Sequence, residues 1–264
     1  MYFQLAGFVI PVGAENTTTL YGGFVVPPKT VLEQQAENGD PIAQYKLAGE
    51  YYTGENRKQD YERAHYWWQQ AAMQGDTVAQ YNLGTLYDSG KGVTQDYTKA
   101  RYWYQKAADK HDIYAAYNLG NLYFHGNGVT QDDRRAARWF EKAAQQGYAK
   151  AQCNLAMMYE RGRGVAQNPE IAAEWYGCAA EQGDSKAQYR LGLLYDKGLG
   201  VAKDDNMARY WLAVAAEQGN ESAAEYLVYL AEKVLTDWYH QTAGSTPPED
   251  GAYYDMTFDG DLNY

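Results

Sequence analysis

Apolar and polar residues alternate at helical spacing along most of the chain. Ala79, Leu83 and Tyr87 recur at i, i+4 and i+8, as do Ala187, Leu191 and Tyr195, and that spacing lays one apolar stripe along a helix. A second pattern follows each such helix, Ala-x-x-Trp-x-x-x-Ala, as in Ala172, Trp175 and Ala179. Trp67, Trp103, Trp139, Trp175 and Trp211 share one phase of it. A large ring set against small alanines at this period predicts core. Gly84, Gly120 and Gly192 recur beside the first stripe, with Ala48 and Ala156 in the same slot elsewhere. A mid-helix glycine costs up to about 1 kcal/mol in propensity, so it is expected where a neighbouring helix approaches closely.

The two patterns alternate with a fixed period. Asp184–Gly219, moved back by its own length of 36 residues, falls on Tyr148–Gly183, then on Asp112–Gly147, Asp76–His111 and Asp40–Gly75. A period of this size means a stacked array of supersecondary units. The first helix of each unit opens on an aspartate N-cap, Asp40, Asp76, Asp112 or Asp184, with Tyr148 as the exception. It stops at Gly54, Gly90, Gly126, Gly162 and Gly198, the residue type that tolerates a left-handed C-terminal turn. Most turns continue Gly-x-Gly-Val. The first reads Gly54-Glu55-Asn56-Arg57 and is expected to differ. The second helix is capped by Asp60, Asp96, Asp132, Asn168 or Asp204. Residues 1–29 lie outside the period, 30–241 form the array, and 242–264 are a linker and an acidic, aromatic tail. Asn220–His240 is expected to run as one helix that covers the last apolar face.

The pattern Ala-Gln-Tyr-x-Leu-Gly-x-x-Tyr-x-x-Gly-x-Gly-Val, an Asp cap, then Ala-x-x-Trp-(Tyr/Phe)-x-x-Ala-Ala-x-x-Gly, resembles the Sel1-like repeat family, relatives of the tetratricopeptide repeats. The resemblance covers residues 40–219. It implies an all-α, right-handed solenoid of antiparallel helix pairs, with five full repeats and partial capping units. It also implies that first helices line a concave face and that the protein works as an adaptor or scaffold rather than an enzyme. The paired cysteines of secreted, disulfide-rich members are missing.

Charge narrows the partners. The formal net charge is -11, which argues against nucleic acid, since phosphate binding is driven by Lys and Arg. No stretch approaches a membrane span. Phe8–Ala14 is apolar, but no Lys or Arg precedes Lys29, so the basic start of a secretory signal is missing. Cys153 and Cys178 fall in different helical phases, which argues against a disulfide and for a reducing compartment. A cytoplasmic location is expected, with a periplasmic or secreted one as the alternative.

Opposite the core stripe, the variable positions of the first helices fall at i, i+4, i+7 and i+11. They read Ile42, Lys46, Gly49, Thr53; Val78, Asn82, Thr85, Ser89; Tyr114, Asn118, Asn121, His125; Lys150, Asn154, Met157, Arg161; and Lys186, Arg190, Leu193, Lys197. The row turns from neutral to basic and contains no Asp or Glu. Asn82, Asn118, Asn121, Lys150, Asn154, Arg161, Lys186, Arg190 and Lys197 are therefore the candidate partner-binding residues. An asparagine both donates and accepts, so a ladder of them can pair with a peptide backbone. Tetratricopeptide domains that hold a C-terminal carboxylate use such asparagines followed by Lys and Arg. That likeness implies Asn118, Asn154, Lys186 and Arg190 here, with Tyr114 replacing a further Lys. Asn can equally be a common way to write this helix.

Catalysis has little support. His65, His111, His125 and His240 do not pair with cysteine at metal-ligand spacing, and there is no phosphate loop or nucleophile motif. No cofactor or metal is expected. The expected function is to bind an acidic or C-terminal peptide of a partner protein on the concave face, with an immunity or inhibitor protein that blocks an effector enzyme as the alternative and a hydrolase behind both. The tail supplies a candidate occupant of its own: Glu249, Asp250, Asp255, Asp259 and Asp261 stand among aromatics with no cation, and it is expected to fold back over the basic repeats.

Overall fold

A computed structural model describes residues 20–21, 24–25 and 29–243. The acidic tail and its expected docking lie outside the described residues. Before the helices, β1 (Leu20–Tyr21) pairs antiparallel with β2 (Phe24–Val25), Leu20 opposite Val25 and Tyr21 opposite Phe24. The described residues otherwise form helices, gathered into two compact units that divide between Gln146 and Gly147.

The first unit holds α1 (Val31–Glu37), α2 (Pro41–Thr53), α3 (Tyr61–Met73), α4 (Thr77–Ser89), α5 (Tyr97–Ala108), α6 (Ile113–His125) and α7 (Asp133–Gln145). Each helix packs on the next in sequence. The caps are those the sequence predicts. The Oδ1 atoms of Asp76 and Asp112 each accept at 2.7 Å, from the backbone N–H groups of Ala79 and Ala115, and satisfy donors that a helix start leaves open. The truncated α1 has a reciprocal Thr30–Glu33 capping box.

The core centres one residue away from the predicted tryptophan phase. Trp67, Trp103 and Trp139 are only half-buried, whereas Trp68, Tyr104 and Phe140 are 4%, 0% and 0% exposed. The reason is the glycine slot. A Cβ at Gly84 would stand 2.6 Å from the Tyr104 ring, and one at Gly120 would stand 2.5 Å from the Phe140 ring. The deep ring of each second helix presses into the slim face of the first. The Lys142 ammonium, by contrast, lies 4.0 Å from the centre of the Trp139 ring, a contact of the unit's rim.

The turn of the first repeat departs in residue type more than in backbone. Asn56 takes φ 63°, the sign that Gly92 and Gly128 take at the same place. Asparagine tolerates the left-handed region, and Asn56 is exposed. Gly92 and Gly128 have a stricter reason. A Cβ on Gly128 would come within 2.5 Å of Tyr97 Cβ, and one on Gly92 would overlap the Tyr61 backbone. Each turn rests on the start of the preceding repeat's second helix. Arg57, in place of valine, joins Glu50 and Glu33 in ion pairs of 2.6 and 2.9 Å and fastens α1 to the first turn.

Buried glutamines connect the repeats. Gln44 and Gln80 each donate at 3.0 Å to a carbonyl eight residues earlier, those of Ala36 and Ala72. Gln44 Oε1 accepts from Gln74 at 2.8 Å. Gln80 Oε1 is buried with no partner in the protein, because Lys110 occupies the corresponding donor position and reaches the Gly75 carbonyl instead.

The second unit holds α8 (Ala149–Arg161), α9 (Pro169–Glu181), α10 (Ser185–Lys197), α11 (Asp205–Glu217) and α12 (Glu221–Ala243), again packed in succession. Tyr148 makes no side-chain cap, as its type dictates. Tyr176 and Leu212 are the deep residues, 1% and 0% exposed, while Trp175 and Trp211 are half-buried. Gly192 receives Leu212 as Gly120 receives Phe140, and a Cβ on Gly200 would overlap the Pro169 carbonyl. The first half of α12 closes the core with Ala223, Tyr226 and Leu230 against Tyr189, Leu193, Leu212 and Ala215. Beyond Leu230 the helix runs on with Val234, Leu235 and Trp238 exposed, so only half of it covers the last apolar face.

Candidate functional site

The predicted row of variable positions is open at its ends and filled in its middle. Ile42, Val78 and Tyr114 at its start are exposed, as are Thr53, Ser89 and His125 at its end. Asn82, Asn118 and Asn121 are half-buried. In the second unit Lys150, Arg161, Lys186 and Lys197 are exposed, whereas Asn154 is half-buried, and Met157 and Leu193 are buried at 5% and 9% exposure. These last two belong to the core and not to an open face. Leu193 packs in the cluster that Tyr226 and Leu230 of α12 close.

Two of the four carboxylate-clamp positions are engaged internally. In the first unit the half-buried Asn118 amide neighbours the hydroxyls of Tyr81 and Tyr104. Tyr104 in turn donates to Asp88 Oδ2 at 3.0 Å. In the second unit Tyr176 donates to Glu160 Oε2 at 2.7 Å, and Arg190 lies 3.9 Å from the same carboxylate. Asp196 is taken by the hydroxyl of Tyr226 at 2.7 Å. These carboxylates occupy the position just before the end of the row, which spacing alone left out. The signal was present in the sequence: a tyrosine 16 residues after Asp88 and after Glu160, but Phe140 after Phe124.

Burial shapes the titration of this network. It pushes the Asp88 carboxyl above the usual carboxylate range, against the opposing bond from Tyr104. The Tyr176 hydroxyl is pushed far up, first by burial and then by the Glu160 carboxylate. Burial also raises the Cys153 thiol, with the Asp184 carboxylate adding to the effect, so this cysteine is not an activated nucleophile. Cys178 is exposed.

The consequence for charge is specific to the second unit. On α8 and α10 the two acids, Glu160 and Asp196, are held by tyrosine hydroxyls, and the exposed charged side chains are Lys150, Arg161, Lys186 and Lys197. The face can therefore attract anions in a chain of net charge -11. Among the described residues no cluster of His, Cys, Asp and Glu could hold a metal ion, and no helix is long and apolar enough to cross a membrane.

The family model described as Sel1 repeat matches five consecutive segments, residues 41–76, 77–112, 113–148, 149–184 and 185–220. No curated protein sequence matches the chain. Among solved structures, a protective antigen of uropathogenic Escherichia coli strains displaying an SLR fold is 36% identical with a TM-score of 0.75. That alignment covers 81% of this chain and 48% of the antigen, so this chain spans about half the antigen's length. A Sel1 repeat protein from Oxalobacter formigenes is 33% identical with a TM-score of 0.66, over 72% of this chain and 75% of that one. An immunity protein from Pseudomonas aeruginosa is 27% identical over 75% of this chain and 70% of that one, with a TM-score of 0.44. Sel1 repeat proteins generally mediate protein–protein interaction and are typically scaffolds or adaptors rather than enzymes. Five contiguous matched repeats, on an all-α array of stacked helix pairs, make this chain a member of the Sel1 repeat family.

Proposed function

We propose that this protein is an adaptor that holds an acidic segment of a partner protein against the first-helix face of its second unit. The observation behind this reading is the sign of the exposed charges on α8 and α10: Lys150, Arg161, Lys186 and Lys197, with both acids of these helices bonded to tyrosines. Asn154 adds a donor and an acceptor for the bound backbone. Arg190 is shared with Glu160 and orients the row rather than gripping the ligand. An internal acidic stretch and a C-terminal carboxylate offer the same chemistry to these cations. The chain's own residues 249–264, acidic and without a cation, are a third source.

Binding of a short Asp- and Glu-rich peptide, measured by fluorescence polarisation, tests the reading. Lys150→Glu/Lys197→Glu should weaken it by at least about tenfold at low salt and flatten its salt dependence, because these are exposed, screened charges. Equal binding by this variant refutes the proposal. Comparison of the free-acid and amidated peptides separates an internal stretch, bound equally in both forms, from a clamped C-terminus. Tighter binding to a chain ending at Gly244 than to the full chain would identify residues 249–264 as a competing occupant.

A further inference from the structure

A cleft of about 400 Å³ opens in the first unit where the α6–α7 turn meets α5, lined by Arg101, Tyr123, Val129, Gln131, Asp132 and Arg135 among others. Its two guanidinium groups are in different states. Arg135 is committed: its Nε lies 3.2 Å from Asp132 Oδ2 and its guanidinium carbon 5.5 Å from the Tyr123 ring centre. Arg101 is half-buried, and its Nε is buried without a hydrogen-bond partner in the protein.

The repeat makes this state informative. The position of Arg101 is filled by His65 in the first repeat, Ala137 and Ala173 in the third and fourth, and Arg209 in the fifth. His65 Nε2 lies 2.9 Å from the Tyr87 hydroxyl, and Arg209 donates to Asn206 Oδ1 at 3.1 Å. The alanines bury nothing polar. Arg209 also lines a cleft, but among acids; of the three polar side chains at this position, Arg101 is the one with a buried donor unspent. A buried N–H without an acceptor is costly, and arginine cannot shed its proton to relieve it.

We propose that this cleft binds a carboxylate carried on a peptide, an Asp or Glu side chain of a partner, with Arg101 as the anchor. Nε and one terminal nitrogen of a guanidinium match the two oxygens of a carboxylate as parallel donors. A monoanion fits better than a phosphate because Asp132 already places a negative charge on the wall, and one uncommitted cation neutralises one charge. The cleft is larger than a carboxylate alone needs, which leaves room beside Tyr123 and Val129 for methylenes and a peptide flank. The proposal shares with the preceding section the premise that the ligand is a protein that offers carboxylates. Its residues lie on other elements, so either can fail alone.

The Arg101 Nε–Hε cross-peak of the full chain gives a direct reading. N-acetyl-glutamate amide should shift it saturably, and N-acetyl-glutamine amide, the same shape without the charge, should bind at least about tenfold more weakly. Acetate should also bind more weakly than the capped glutamate, and Arg101→Gln, checked for folding by circular dichroism, should abolish the other cleft shifts. If that variant does not fold, the cross-peak in the unsubstituted protein still decides. No saturable shift, or equal shifts with acid and amide, overturns the proposal. Acetate binding as tightly as the capped residue overturns its peptide part, and inorganic phosphate binding more tightly overturns its choice of anion.

Discussion

In the first unit Tyr104 gives its hydroxyl to Asp88, and an asparagine, Asn118, stands nearby. In the second unit Tyr176 gives its hydroxyl to Glu160, and the residue two repeats on from Asn118 is a cation, Arg190. The third repeat drops the couple altogether and sets Phe124 beside Phe140, ring centres 6.3 Å apart. The deep ring of the second helix and the acid of the first thus change together. In these three repeats a hydroxyl comes with a carboxylate, and a bare ring with a bare ring; in the fifth, where the deep residue is Leu212, the hydroxyl for Asp196 comes from Tyr226. Buried polar atoms are tolerated where they are matched, and this couple decides whether the surface beside it keeps a free acid. The basic face of the second unit is therefore partly a product of its core.

The largest effect expected from this arrangement separates neighbouring rings. Phe140→Ala should cost about 3–5 kcal/mol, and Trp139→Ala clearly less, because only the former empties the glycine slot. Urea melts of the two variants measure this, and equal losses would return the tryptophan to the core. Next comes the couple itself. Tyr104→Phe should cost about 1–3 kcal/mol, since it leaves Asp88 half-buried with no cation, and Tyr176→Phe about 0.5–1.5 kcal/mol, since Arg190 still attends Glu160. Adding Asp88→Phe to Tyr104→Phe copies the third repeat and should recover most of the loss; additive losses in the double-mutant cycle would show that the couple is not a unit. A smaller gain is expected from Lys110→Gln, about 0.5–1.5 kcal/mol, because it supplies the donor that Gln80 lacks and that Gln218 gives Gln188 at 2.8 Å in the second unit. The pH effect is smallest. Burial holds the Asp88 carboxyl above its ordinary range, so the folded state binds this proton more tightly than the unfolded chain does. The stability it contributes is full below the ordinary carboxylate pKa and is lost as pH rises through the raised value. Asp88→Asn should flatten that stretch of the urea-midpoint profile, and an unchanged slope would place the dependence elsewhere.

The helices and their ends were legible because each rests on local chemistry: an aspartate oxygen for the first turn, a glycine for the left-handed stop. The depth of the rings was not, because recurrence was read as burial. Trp139 recurs, but Phe140 is the residue flanked on both sides by alanine pairs, Ala136–Ala137 and Ala143–Ala144, all buried. That double pairing marks the centre of the buried face; it recurs in full around Tyr176, and around Tyr104 and Leu212 with an arginine in place of one alanine. The binding row was legible at its ends, where Lys150 and Lys197 are exposed, and not in its middle. Whether Met157 faces solvent depends on the helix beside it, and a single-helix period carries no information about that neighbour. Arg101 was missed for the same reason: an unspent donor shows only once every possible acceptor nearby has been placed.

The second glycine of each turn sets a gauge as well as a bend. Gly92 abuts the backbone of Tyr61, Gly128 the side chain of Tyr97, and Gly200 the carbonyl of Pro169, each at the start of the preceding second helix. At these three turns the spacing of neighbouring repeats is thus checked by direct touch, and an error in the turn cannot pass silently. A residue inserted between the helices would lift that turn off its seat even if every apolar stripe stayed in phase. Lengthening should be tolerated only in whole units, so the natural way for such a chain to vary is to duplicate or delete a complete repeat.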